Sequence, residues 1–171
     1  MTSRRLVIVR HAKAEPYGGN DHERALTARG RRAAASVGRW LAAEGVVPDY
    51  AVVSSATRTQ QTWSGIAAAF EATIHQEFSD ALYGAGPEEV IDAVRWVPVD
   101  ARTVVYVGHN PTAGELPHLL DDGTGGDEAL AEIAFGFPTG AVAILEVPGP
   151  WAELQMGGAR VTAYFVGERA A

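Results

Sequence analysis

Leu6-Val7-Ile8-Val9-Arg10-His11-Ala12 is the most informative stretch of this chain. Leu6 to Val9 is an unbroken apolar run with β-branched residues, the pattern of a strand buried on both faces. Such a strand belongs to a sheet with helices above and below it. It ends on Arg10-His11, two residue types that a core rarely holds unpaired. A polar loop follows from Ala14 to Arg24, rich in Gly, Asn and Asp. Between Ala28 and Glu44, Ala34, Val37, Leu41 and Ala42 recur at helical spacing, with Thr27 placed to cap the helix and Gly45 to end it.

The alternation continues along the chain. Tyr50 to Val53 reads as a second strand and Thr57 to Phe70 as a second helix, with a third short strand expected around Ala72 to His75. Pro87 suits the first position of a helix reaching about Trp96. Thr103 to Val107 is another β-branched run, and Thr112 to Leu120 another helix. Gly140 to Val147 and Arg160 to Val166 flank Pro148-Gly149-Pro150 and are expected to pair antiparallel. Asp121 to Ala129, full of Gly and Asp, is expected to be a mobile surface loop. Residues 1–171 are thus expected to form a single α/β domain. Its architecture would be a three-layer α/β/α sandwich whose mostly parallel central sheet carries an antiparallel edge. In such folds ligands bind at the carboxyl ends of the strands.

Composition limits the partners. Twenty-one acidic residues against fourteen basic ones give a formal charge of −7. A broad nucleic-acid or anionic-membrane surface is therefore not expected, although a local basic pocket is allowed. The absence of cysteine removes disulfide scaffolds, thiolate zinc sites and cysteine nucleophiles together. Thirteen of the fourteen basic residues are arginine, and Lys13 is the sole lysine. Beside thirty alanines this looks like compositional bias, so only the positions of individual arginines can carry an argument. No signal-peptide core or membrane span is visible, and a cytoplasmic protein is expected.

Those positions are telling. Val9-Arg10-His11-Ala12 ends the first strand, Ser54-Ser55-Ala56-Thr57-Arg58 ends the second, and Val107-Gly108-His109-Asn110-Pro111 ends the strand from Thr103. Two histidines and two arginines thus converge on one end of a sheet. A neutral imidazole can attack phosphorus and form a phosphohistidine that water then breaks. Guanidinium forks recognise phosphate oxygens and stabilise a metaphosphate-like transition state. Nearby guanidiniums also hold a histidine neutral by lowering its pKa. The pattern calls for no cofactor, and the histidines lack the carboxylate partners of a metal set.

Arg10-His11-Ala12 resembles the Arg-His-Gly/Ala signature of the histidine phosphatase (phosphoglycerate mutase-like) superfamily. Arg24-Ala25-Leu26-Thr27-Ala28-Arg29-Gly30, Ser54 to Thr62 and Val107 to Pro111 resemble its further motifs, in the same order. The resemblance implies a phosphoglycerate mutase-like fold with His11 as nucleophile. Arg10, Arg58 and His109 would complete the phosphate pocket, and Arg24 is a further candidate for phosphate or substrate. Ser55 and Ala25 stand where the family usually has proline, and Gly30 is expected to serve close packing or backbone shape rather than catalysis. Asp80 occupies the place of the family's general acid, with Glu77 as the alternative.

Only residues 76–102 separate the expected third strand from the next, too few for a large helical lid. The compact form resembles SixA-type phosphohistidine phosphatases, which implies phosphohistidine on a signalling or phosphotransfer protein as substrate. A phosphomonoesterase for small or sugar phosphates is the nearest alternative, and a catalytically silent phosphate-binding module is another. His22, His75 and His118 are expected to be structural or exposed, and Trp40 and Trp63 to lie in the core. The sequence leaves the oligomeric state open.

Overall fold

The structure is a computed structural model that describes residues 3–16 and 19–168. In chain order its elements are β1 (Arg4–Arg10), α1 (Ala28–Ala43), β2 (Tyr50–Ser54), α2 (Thr57–Ala67) and β3 (His75–Ser79). They continue with α3 (Pro87–Arg95), β4 (Thr103–Gly108), α4 (Thr112–Leu120), α5 (Asp127–Phe135), β5 (Ala141–Val147) and β6 (Arg160–Val166). The six strands form one sheet in the order β3-β2-β4-β1-β5-β6. β1 to β4 run parallel, and β5 and β6 add the antiparallel edge. The three-layer sandwich, mostly parallel with an antiparallel edge, is present.

Alternation along the strands builds two cores. Leu6 and Ile8 of β1 join Val104 and Tyr106 of β4 beneath α3, α4 and α5. Val7 and Val9 join Val105 and Val107 on the opposite face, beneath Val37 and Leu41 of α1 and Trp63 and Ile66 of α2. The division follows from the direction of travel. From β1 the chain moves outward to β2 and β3, and right-handed crossovers put α1 and α2 on one face. It then turns back, so α3 and the elements after it fall on the other. Neighbouring strands β1 and β4 therefore send their exits to opposite faces, which opens a crevice between their carboxyl ends.

Two expectations need correction. The third strand is His75–Ser79 rather than Ala72 to His75. It is an edge strand bonded only to β2 and its side chains are largely exposed, so Gln76 and Glu77 are tolerated where apolar residues were sought. The expected loop from Asp121 to Ala129 stops at Gly126, the residue before α5. Only Ile133 of this helix is fully buried, so its apolar stripe is too narrow to read from periodicity. The short loop before it is tied down: the Asp121 carboxylate accepts the backbone N–H groups of Val161 (2.9 Å) and Gly123 (2.9 Å). No helix among the described residues is long and apolar enough to cross a membrane.

Candidate active site

His11 leaves the end of β1 into the crevice and is held from both sides. Its N–H donates to Gly108 at the end of β4 (3.0 Å), and its carbonyl accepts from Gly140 ahead of β5 (3.0 Å). The next N–H, of Ala12, donates to the buried Thr62 hydroxyl on α2 (2.9 Å), which itself donates to the Arg58 carbonyl (2.7 Å). The following loop rests on α1 at Gly30, where any Cβ would collide with the Lys13 carbonyl. The expectation that Gly30 serves close packing is met.

His11 is only 8% exposed. Its Nδ1 lies 2.8 Å from the Ala12 carbonyl, an acceptor, so Nδ1 carries the proton and Nε2 keeps a free lone pair. Burial pushes its pKa down to about 3, and Arg58, His109 and Arg10 add to the effect against the Ala12 carbonyl. The guanidiniums contribute as the sequence suggested, but desolvation is the larger cause. His109 is lowered to about 4, again first by burial and then by Arg58. Both rings are neutral at pH 7.

His109 leaves β4 beside His11, with ring centroids 5.4 Å apart. Its Nδ1 lies 3.4 Å from Arg58 Nη2, which can only donate, so the proton sits on Nε2 and is given to the Ser54 hydroxyl at 2.8 Å. Arg58, in the first turn of α2, also donates to the Asp21 carbonyl (2.8 Å) and carboxylate (3.1 Å). Arg10 donates to the Phe137 carbonyl (3.2 Å), and Asn110 donates to the same oxygen (2.9 Å). The buried Nε groups of Arg10 and Arg58 have no hydrogen-bond partner among the described residues. Each guanidinium carries more N–H groups than these contacts use, so the crevice combines one imidazole lone pair with two guanidiniums, the equipment for transferring a phosphoryl group to nitrogen.

Arg10, His11, Arg58 and His109 therefore meet at one point. Arg24 stands a layer outside, donating to the Asp21 carboxylate (3.0 Å) and the Glu15 carbonyl (3.0 Å). Asp80 directly follows β3 at the same end of the sheet and is exposed. Among the described residues no hydrogen bond or ion pair links its carboxylate to the central four. Glu77 reaches instead to the Tyr50 hydroxyl (3.4 Å) at the start of β2, away from the crevice.

Sequence reasoning missed Asp21 and Tyr83. The Tyr83 hydroxyl donates to the Asp21 carboxylate, and this bond, followed by Arg58 and Arg24, holds the Asp21 carboxyl far below the usual carboxylate range. Tyr83 also stands edge-on to His109, at 5.7 Å between centroids. Both residues lie in polar loops without periodicity, and the Asp21–Arg24 spacing of three was the only signal. His22 braces this wall through the Ser55 hydroxyl (2.8 Å), a structural role. Trp63 is buried, and Trp40 is half-buried, stacked on Phe165.

The chain resembles known proteins in sequence and fold. Residues 6–86 match the model of the histidine phosphatase superfamily (branch 1). The chain is 39% identical over 162 residues to the uncharacterized protein Rv1276c of Mycobacterium tuberculosis, covering 92% of this chain and 99% of that one. A structure described as the putative phosphohistidine phosphatase SixA from Nakamurella multipartitia is 34% identical with a TM-score of 0.85, covering 96% of each chain. The protein histidine phosphatase SixA complexed with tungstate shares the fold, with a TM-score of 0.77 at 20% identity and coverage of 95% of this chain and 96% of that one.

Proposed function

The chain belongs to the histidine phosphatase superfamily, and we propose that this phosphatase removes phosphate from phosphohistidine in proteins by way of a phosphorylated His11. The observation that carries the reading is the His11–Ala12 hydrogen bond of 2.8 Å, which leaves the Nε2 lone pair directed outward on a ring that is neutral at pH 7.

The Nε2 lone pair of His11 forms a bond to phosphorus as the substrate's P–N bond breaks. The departing imidazole nitrogen keeps the electron pair and takes a proton from solvent or from Asp80. Water then attacks the phosphorus of phosphorylated His11, the P–Nε2 bond breaks, and inorganic phosphate leaves with the proton balance made up by solvent. Arg10 and Arg58 bind the non-bridging oxygens in both steps. The incoming phosphate competes with Asp21 and His109 for the donors of Arg58. Arg24 acts through Asp21 as a positioning residue.

Two features favour a phosphorylated nitrogen over an ester. Asp80 is exposed and unattached to the central four, a weak place for a general acid, and an imidazole leaves more readily than an alkoxide. The single α-helix between β3 and β4, α3, buries Val90, Ile91 and Val94 against the sheet, so it is a structural layer and the crevice stays open to a protein surface. The likeness to the 34%-identical Nakamurella structure supports the same substrate class. The reading places the reaction in cytoplasmic signalling or phosphotransfer.

The test compares wild type and Asp80→Asn on a phosphohistidine protein and on p-nitrophenyl phosphate. The expected result is a wild-type phosphohistidine rate at least about 100-fold above the ester rate, the lower end of what a missing general acid costs an ester, with both rates within about threefold of wild type in Asp80→Asn. Efficient ester turnover by a wild type inactive on phosphohistidine would replace this reading with a phosphomonoesterase.

A further inference from the structure

A groove of about 940 Å³ opens beside the phosphate site, on the side toward β5 and β6. Arg10 belongs to both. From Arg10 the groove runs past Lys13 and Arg29 on one wall and past Phe137, Tyr164 and Phe135 on the other. We propose that this groove docks the polypeptide segment carrying the phosphorylated histidine, holding an acidic side chain at Lys13 and Arg29 and an apolar one at Phe135 and Phe137. The inference rests on the phosphohistidine reading above and adds where, and through what chemistry, the protein substrate is recognised.

Three observations support it. The first is continuity. Arg10 spans the wall between groove and crevice, so a chain whose phosphate sits at His11 has its flanking residues directed into the groove. The second is charge. In a protein of net charge −7, Lys13 and Arg29 are exposed cations with no ion-pair partner among the described residues. The acidic groups facing the groove are Glu168, whose carboxylate is engaged by Arg32 (3.4 Å), and Glu132, one turn before Phe135. The anion-accepting end is therefore the one nearest His11. The third is the aromatic wall. Phe135 is 98% exposed at the end of α5, and it lines the groove together with Phe137 and Tyr164, whose rings meet at 5.8 Å between centroids. An apolar surface rimmed by charges and joined to a catalytic centre is the composition of a recognition site. A small phosphate would use none of it.

The test uses a short synthetic phosphohistidine peptide flanked by Glu and Leu, the same peptide with Lys for Glu, and phosphoramidate as a small probe. For wild type, the Glu-Leu peptide is expected to exceed the Lys-Leu peptide in kcat/KM by at least tenfold, with the gap narrowing as salt is added. Arg29→Glu should erase or invert that preference, and Phe135→Ser should raise KM for the Glu-Leu peptide about tenfold. Both act on KM rather than kcat. Both positions are exposed, and unchanged urea midpoints confirm folding. Equal kcat/KM for the two peptides in wild type, or variants that match wild type, overturns the groove while leaving the phosphohistidine reading intact. A wild type inactive on both peptides but active on p-nitrophenyl phosphate overturns both. A wild-type dimer made monomeric by Phe135→Ser would assign the groove to a second copy of the chain, and overturn it too.

Discussion

Mild acid should destabilise this protein through His11, and the size of the effect can be worked out. The folded pKa of about 3 lies below the ordinary value of 6.5. Between those limits the unfolded chain binds a proton that the folded chain refuses, so stability falls as pH falls. At pH 5 an ordinary histidine is about 97% protonated, whereas a group titrating near 3 is about 1% protonated. Protonation of the unfolded chain between pH 7 and 5 then favours unfolding by about 2 kcal/mol for His11. His109, lowered to about 4 and partly open to solvent, adds about 1 kcal/mol after discounting for screening. Asp21 adds nothing in this window, because its carboxyl is ionised in both states. The assay is urea denaturation at pH 7 and pH 5 for wild type and His11→Asn, whose amide can still donate to Ala12. The stability lost between the two pH values should be smaller in the variant by about 2 kcal/mol. Equal losses, or an NMR titration of the His11 ring near its ordinary value, would refute the reasoning.

Other consequences are as direct. Gly30→Ala forces a Cβ against the Lys13 carbonyl and should cost about 1–3 kcal/mol in urea melts, with catalysis impaired because the same loop carries His11. Thr62→Val leaves the Ala12 N–H buried without its acceptor; stability should drop by about 1–3 kcal/mol, and kcat should fall more than KM rises. Asp21→Asn removes the anion that competes for Arg58, so inorganic phosphate should inhibit about fivefold more tightly, the effect of about 1 kcal/mol from one screened charge. Weaker inhibition would mean that Asp21 serves chiefly to orient Arg58.

The fold was legible where both faces of a strand are buried. β1 and β4 alternate between the two cores and could only be read as interior strands. β3 was misplaced because an edge strand has no need of apolar side chains, and α5 was hidden because it buries a single residue fully. The same division holds at the site. Arg10, His11, Arg58 and His109 stand at strand ends or the first turn of a helix, positions fixed by the backbone, and periodicity finds them. Asp21 and Tyr83 come from loops separated by more than sixty residues, and only tertiary contact makes them one wall. The groove beside Arg10 joins α1, α5 and β6, which no local pattern connects.

The central claim is that phosphate passes through His11 Nε2. Wild type, His11→Asn and His109→Asn should be mixed with phosphohistidine substrate, quenched in alkali within milliseconds and analysed by mass spectrometry for a phosphorylated peptide containing residue 11. The account predicts an acid-labile, alkali-stable phosphate on His11 in wild type, and none in His11→Asn. Phosphate on His109 instead, or substrate turnover by His11→Asn at the wild-type rate, would contradict it.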